Sequence, residues 1–140
     1  MVKEFDICKV DEIMQIWLDT NIAAHDFIPK EYWTDNFEIV KTMLPNAEIL
    51  IYEEEEIKGF IGIVDKTYIA GLFVSKKFQG CGIGTKLIGA CKNRYPILML
   101  DVYVKNDKAV TFYSNHGFRI KEEKENSDTK EVEYTMQWTV

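Results

Sequence analysis

The apolar residues of this chain change their spacing several times, and each change predicts an element. Phe5 to Val10 reads as a first strand, and Asp11 as the N-cap of a helix in which Ile13, Ile16, Trp17 and Ala24 share a face by i, i+3, i+4 spacing. Pro29 opens a second helix with Phe37, Val40 and Leu44 inward, and Pro45 closes it. Ala47 to Tyr52 and Ile57 to Val64 are apolar strands joined as a hairpin across an acidic turn, Glu53 to Glu56. Tyr68 to Val74 is a further strand. A glycine-rich turn follows, then a helix from about Ile83 to Asn93 with Ile83, Leu87, Ile88 and Cys91 on one side. Pro96 to Val104 is β-rich, Asn106 to Asn115 is helical and stopped by Gly117, and Phe118 to Glu122 and Val132 to Trp138 complete the sheet. The charged run Lys121 to Lys130, like Glu53 to Glu56, reads as a solvated hairpin turn.

The resulting order is β-α-α-β-β-β-α-β-α-β-β. It predicts an α/β (α+β) fold with a mixed, mostly antiparallel sheet. One right-handed parallel β-α-β crossover runs from Tyr68 to Val104. With 140 residues, 46% of them hydrophobic, the chain is the size of one domain spanning residues 1–140 and has enough apolar content for its own core. Eight Gly, three Pro and 13% aromatic residues exclude collagen-like and disordered classes.

Charge and cysteine usage narrow the partners. Seventeen Lys and Arg against 23 Asp and Glu leave a net charge of −6, which repels phosphate backbones and argues against nucleic-acid binding. Cys8, Cys81 and Cys91 are odd in number and form no CxxC, so a reducing cytoplasm is expected rather than a disulfide framework. The first residues lack the apolar stretch of a signal peptide, and runs such as Ile97 to Leu100 are far too short for a bilayer, so no membrane association is expected. No His, Cys or acidic cluster has metal-ligand spacing, so no metal is expected.

The candidate chemistry lies in Gln79-Gly80-Cys81-Gly82-Ile83-Gly84, between a strand and a helix. Successive N–H groups at such a helix start, with the positive end of the helix dipole, suit a phosphate or pyrophosphate. A Walker A loop fails on spacing. The dinucleotide fingerprint G-x-G-x-x-G nearly fits from Gly80, with Thr85 at its third glycine and Asp101 about 20 residues downstream. A second mononucleotide-binding half is missing, which makes a nicotinamide enzyme the weaker reading.

Gln79-x-x-Gly82-x-Gly84 resembles the Q/R-x-x-G-x-G/A signature of the GNAT acyl-CoA-dependent N-acetyltransferases, and Asn106-x-x-Ala109-x-x-Phe112-Tyr113-x-x-x-Gly117-Phe118 resembles that family's second signature. Leu72-Phe73-Val74 resembles its strand beside the acyl-CoA, and the element order matches over essentially the whole chain. Trp17 and His25-Asp26-Phe27 resemble a bacterial branch, the YjaB-like acetyltransferases.

The resemblance implies a set of roles. Gln79, Gly80, Cys81, Gly82, Ile83 and Gly84, with Thr85 beside them, would hold the coenzyme A pyrophosphate. Cys81 stands where relatives often carry Arg or Lys, and Lys76, Lys77 or Lys86 could supply that charge. Leu72, Phe73 and Val74 would offer backbone groups to the pantetheine arm between two splayed parallel strands, with Gly71 marking a bulge. Asn106, Ala109 or Val110, and Tyr113 share a helix face by period. In relatives that face meets the coenzyme, beside Phe112, and Tyr113 protonates the leaving thiolate. On helix geometry alone Tyr113 reads first as a core tyrosine, and only the resemblance turns it toward catalysis.

Many relatives carry a Glu on the strand before Leu72, but Ile69-Ala70-Gly71 stands here, which leaves His25 and Asp26 as the next candidates for a base. His116 reads as a helix C-terminal residue. Trp17, Phe27, Tyr32 and Trp33 belong to the region that lines the acceptor site in relatives, Trp17 reading also as core. The activity implied is direct transfer of an acetyl group from acetyl-CoA to a primary amine of a small molecule or peptide, by a monomer or homodimer. The rival is an acyl-CoA-binding sensor without turnover.

Overall fold

A computed structural model describes residues 1–140. The strands are β1 (Val2–Glu4), β2 (Glu48–Glu54), β3 (Glu56–Val64), β4 (Tyr68–Val74), β5 (Ile97–Tyr103), β6 (Arg119–Glu125) and β7 (Val132–Thr139). The helices are α1 (Val10–Ala24), α2 (Lys30–Met43), α3 (Ile83–Arg94) and α4 (Asp107–Asn115). All seven strands join one sheet in the order β1-β2-β3-β4-β5-β7-β6, in which β4–β5 is the single parallel pair. The expected mixed, mostly antiparallel sheet is therefore present. No helix is long and apolar enough to cross a membrane.

The central strands are buried on both faces, which is why they read as continuous apolar runs rather than alternating ones. Leu50, Ile61, Leu98 and Leu100 point to one side, where they pack with Ile83, Leu87, Ile88 and Cys91 of α3. Ile49, Ile51, Phe60 and Tyr103 point to the other, against Ile13, Met14, Ile16 and Trp17 of α1 and Trp33 of α2. Ala24, expected on the buried face of α1, is exposed at the end of the helix, where it lines an open cleft.

Four local readings are corrected. Residues Phe5 to Val10 do not form the first strand: β1 ends at Glu4, and Asp6 accepts a hydrogen bond from the Cys8 N–H (3.0 Å), closing a 3-10 turn over Ile7–Lys9. A short acceptor two residues upstream of a free amide draws the backbone out of the ladder. Helix α1 then starts directly at Val10, so Asp11 lies in its first turn and does not cap it. The acidic turn is tighter than expected. Only Glu55 leaves the ladder, at φ +67°, while Glu53 is held by Lys9 (2.6 Å) and Lys3 (3.0 Å) and is not a solvated charge. The run Lys121 to Lys130 is half strand. β6 extends to Glu125 with every residue exposed, an edge strand whose charged side chains follow from having no layer above it.

The sheet opens at its parallel joint. β4 and β5 share the single bridge Tyr68↔Met99, closed by the Met99 N–H donating to the Thr67 carbonyl at 2.8 Å. On the other side of β4, Gly62 faces Gly71 but Ile63 faces Ile69, so Ala70 is an extra residue that bends the strand. Glycine at 71 makes room for the Phe73 ring, which would have to shift to admit a Cβ placed 2.3 Å from it.

Leu87 is fully buried between α3 and the sheet. Leu87→Ala is expected to lower stability by about 2–5 kcal/mol, read as a lower urea midpoint at unchanged slope.

Candidate active site

The gap between β4 and β5 continues into a cleft of about 900 Å³, bounded by β4, the start of α3, the start and inner face of α4, and the end of α1. The turn before α3 supplies its donors. Gly80 and Gly82 hold φ of +82° and +81°, the left-handed region where a side chain is strained, and an added Cβ at either would meet nothing within 4 Å. Glycine is needed at both for the dihedral rather than for lack of space. The first amide of α3 with a backbone acceptor is that of Lys86, which donates to Gly82 (3.1 Å). The N–H groups from Gly80 to Thr85 donate to no other group of the chain. Together with the helix dipole they form a cradle for an anion of pyrophosphate shape.

Several turn side chains have structural work. The Gln79 amide donates to the Val74 carbonyl (3.0 Å) and ties the turn to the end of β4. Gly84 lets α3 approach α4, since a Cβ would lie 3.2 Å from the Phe112 ring. Thr85 hydrogen-bonds His116 (3.0 Å), whose other ring nitrogen meets the Phe112 carbonyl (2.7 Å) at the C-terminal end of α4. Cys81 is exposed and lies outside the cleft lining. Of the lysines considered from the sequence, Lys76 lines the cleft, Lys77 pairs with Glu56 and Lys86 lies over the Tyr52 ring. Lys105 and Lys108 also line it. They were missed because nothing in local spacing brings the β5–α4 turn opposite the α3 turn.

Backbone groups of β4 face the gap. Ser75 donates to the Lys58 carbonyl (2.9 Å), and Phe60 stands opposite Phe73. Bonded and non-bonded pairs alternate in an antiparallel ladder, so Leu72 and Val74 turn their N–H and C=O groups away from β3, toward the departing β5. The Leu72 and Val74 side chains line the cleft with Ile83, whereas the Phe73 ring points to the opposite face and packs on Phe60. On α4, Ala109, Phe112 and Tyr113 line the cleft. Tyr113 packs against Phe112 and Phe118, its hydroxyl bonds no group of the chain, and burial pushes its phenol above the ordinary value. It is both a core residue and a wall of the cleft.

Asn106 caps α4, its side-chain oxygen accepting from the Ala109 N–H (3.3 Å), and its amide nitrogen lies 3.3 Å from His25 Nε2. His25 is half-buried in an aromatic box of Phe27, Trp33 and Tyr103, its Nδ1 3.0 Å from the Asn21 carbonyl. Burial lowers its proton affinity below the ordinary histidine value, and the bond to Asn21 offsets part of that. Asp26 lines the cleft at the end of α1. Tyr32 packs edge-on against Trp33, and Trp17 is core, in contact with Trp33 and Phe37. The structure thus gathers His25, Phe27, Tyr32 and Trp33 on the α1–α2 side and leaves Trp17 beneath them. Tyr103 completes the group. It was overlooked because a tyrosine ending an apolar strand reads as ordinary core.

The residues before Leu72 on β4 are Ile69, Ala70 and Gly71, none a carboxylate, and Ala70 is exposed. Partly buried carboxylates stand instead on β5 and, one strand further, on β7. Asp101 on β5 is partly buried, but hydrogen bonds from Thr135 (2.6 Å), Tyr68 (2.8 Å) and Lys124 hold it below the usual carboxylate range. These bonds engage Asp101 within the sheet face, which with only one parallel pair removes the dinucleotide reading. Burial, and then the charge of Asp101, pushes Glu133 on β7 upward. No group of three or more His, Cys, Asp or Glu side chains is placed to hold a metal ion.

Comparison with known proteins agrees with this geometry. The model of the acetyltransferase (GNAT) domain matches residues 21–139. The chain is 33% identical to the peptidyl-lysine N-acetyltransferase YiaC of Escherichia coli strain K12 over 142 aligned positions, covering all of this chain and 97% of that protein. It is 30% identical to the peptidyl-lysine N-acetyltransferase YjaB of the same strain, over 79% of this chain and 76% of that protein. The solution structure of apo YjaB from E. coli superimposes with a TM-score of 0.86 at 24% identity, covering 99% and 96% of the two chains. The N-acetyltransferase PaiA of Thermoplasma acidophilum, solved with coenzyme A, shares the fold at a TM-score of 0.77 and 15% identity, over 100% and 98%. Signatures, sheet topology and full-length similarity converge, and the chain belongs to the GNAT acetyltransferase family as an acetyl-CoA-dependent N-acyltransferase.

Proposed function

We propose that this enzyme transfers the acetyl group of acetyl-CoA directly to the side-chain amine of a lysine in a peptide or protein. One observation carries the transfer chemistry: the parting of β4 from β5 aligns the amide cradle of α3, the outward backbone of Leu72 and Val74, and the Tyr113 phenol along one cleft. The peptidyl-lysine acceptor is supported by the similarity to YiaC and YjaB, both named for that activity. A net charge of −6 also favours approach of a cationic residue.

In this reading the amides from Gly80 to Thr85, with Lys76 and Lys108 at the cleft, bind the diphosphate. Leu72 and Val74 pair with the pantetheine amides as a strand would, and an outward N–H there donates to the thioester carbonyl oxygen as negative charge develops on it. The neutral amine attacks the thioester carbon and the carbon–sulfur bond breaks. Tyr113 donates its proton to the sulfur, and the amine loses one to solvent. Because burial raises the Tyr113 phenol, it keeps its proton through the neutral range. No cysteine is placed as a covalent relay: Cys8 and Cys81 are exposed away from the cleft, and Cys91 is buried with its thiol pushed up to about 12.

With acetyl-CoA, thiol release should depend on a lysine-containing peptide, and mass spectrometry should place the acetyl group on its side chain. Release with small amines alone would reassign the acceptor, and binding without release for any amine would make the chain a sensor. Tyr113→Phe should lower kcat by about 10²-fold while calorimetry shows coenzyme A binding retained. Gly82→Val should weaken coenzyme A binding by roughly tenfold, because a branched side chain is strained at φ +81° by about 1–2 kcal/mol. The pH profile should rise on the alkaline side as the amine deprotonates. With the phenol raised, Tyr113 should impose no falling limb below about pH 10.

A further inference from the structure

His25 and Asn106 lie 81 residues apart in sequence, and together they connect two elements on either side of the cleft. The direction of every hydrogen bond along that connection is fixed by its ends. The Asn21 carbonyl can only accept, so His25 Nδ1, 3.0 Å away, carries the ring hydrogen. In the neutral ring Nε2 is then an acceptor. The Ala109 N–H can only donate, so the Asn106 oxygen faces it and the Asn106 NH2 group faces His25 Nε2. A single chain of polarity therefore runs from α1 through imidazole and amide into the first turn of α4. Trp33, stacked on the ring at 5.2 Å, and the edge-on rings of Phe27 and Tyr103 hold the plane of the imidazole.

Resting on the acetyl-transfer reading above, we propose that His25 is a positioning residue: its neutral Nδ1–H tautomer orients Asn106, and Asn106 in turn caps and aims the short helix that carries Tyr113. α4 has nine residues, too few to be stable without its cap and its packing. The Nε2 lone pair cannot hold Asn106 and also take a proton from the amine, so this role replaces that of general base. Protonation of His25 would set an N–H against the Asn106 NH2 group. Turning the amide over to satisfy His25 would face that NH2 group toward the Ala109 N–H and uncap the helix. The titratable groups on the surrounding elements are Asp26 after α1, Tyr32 on α2, Tyr103 on β5, and Lys105 and Asp107 beside Asn106. None hydrogen-bonds or ion-pairs with the ring, and Lys105 is taken by Glu131 at 2.9 Å. Burial thus acts unopposed by any carboxylate and favours the neutral ring.

A double-mutant cycle tests the link. His25→Ala and Asn106→Ala should each lower kcat/KM by roughly tenfold, about 1.4 kcal/mol, and the double variant should be no worse than either. His25→Gln offers a neutral amide oxygen near the Nε2 position. It should recover most of what His25→Ala loses, and should lack any part of the acid limb that titrates with His25. In 15N spectra of the substrate-free parent, His25 should show the Nδ1–H tautomer, and its Nε2 resonance should shift in Asn106→Ala. Two results would overturn the proposal: His25→Ala lowering kcat as deeply in the Asn106→Ala background as in the parent, or His25→Gln being as impaired as His25→Ala. Should His25→Ala fail to fold, His25→Gln and Asn106→Ala supply the comparison. A parent that transfers no acetyl group would defeat the reaction reading, while the tautomer measurement would still decide the bond to Asn106.

Discussion

A parallel pair held by one bridge is a weak joint, and the rest of the site depends on its weakness. β4 is bonded along its length to β3 on one edge, whereas on the other it meets β5 only at Tyr68↔Met99. Beyond that bridge the backbone groups of Leu72 and Val74 have no strand to satisfy them, and only the Val74 carbonyl finds a partner, the Gln79 amide. Buried amides left unpaired cost about 1–3 kcal/mol each, so such an edge persists only where solvent or a ligand reaches it. The fold keeps the edge open in two ways. The extra residue Ala70 bends β4, and the Phe73 ring occupies the space over Gly71 where any larger residue would stand. β5 is meanwhile held to β7 through seven consecutive pairs, which keeps it from closing the gap.

The start of α3 solves the complementary problem. A helix N-terminus always leaves donors unpaired, and this chain supplies no capping side chain at Gly82. The alternation of left-handed glycines at 80 and 82 turns those donors toward the cleft while Leu87, Ile88 and Cys91 bury the side of the helix that faces the sheet. An unpaired strand edge and an uncapped helix thus face the same volume. Both are deficits of the folded chain alone, and one extended ligand with a diphosphate at one end and amides along its arm meets both. The preference for acetyl-CoA is in this sense a property of backbone geometry more than of side-chain identity, and a cradle of main-chain amides needs no basic side chain at Cys81.

The elements that set this geometry were legible in the sequence because they bury both faces or carry a helical stripe. β4 was read with its observed bounds, and the inward set of α3 was read residue by residue. What escaped was governed by contacts between residues far apart or by the lack of a core. Phe5 to Val10 alternates well enough to look like a strand, but one hydrogen bond from the Cys8 amide to Asp6 decides otherwise. β6 has no apolar stripe, and its strand character comes entirely from its ladder with β7. At the site, the turn glycines and Tyr113 were visible through their fixed spacing. Lys105 and Lys108 were not, since only the crossover from β5 into α4 carries them to the cleft, and Tyr103 was not, since its place beside His25 depends on the α1–α2 side packing over the end of β5.

The aromatic cluster around His25 shows how the two faces of the sheet are coupled at the same joint. Tyr103 ends β5 and packs with the α1–α2 side, while its neighbour Val102 packs with α3 and α4. Where β5 stops, the next residues must cross from one face to the other, and Asn106 is the point at which α4 begins. A carbonyl of α1 therefore lies only three hydrogen bonds from the first turn of the helix bearing Tyr113. An acceptor settling against α1 and α2 and a coenzyme settling against α4 would press on the same short connection from opposite sides. A small set of neutral, directional hydrogen bonds suits that place better than an ion pair, because it resists rotation without adding a charge beside an amine that must reach the thioester uncharged.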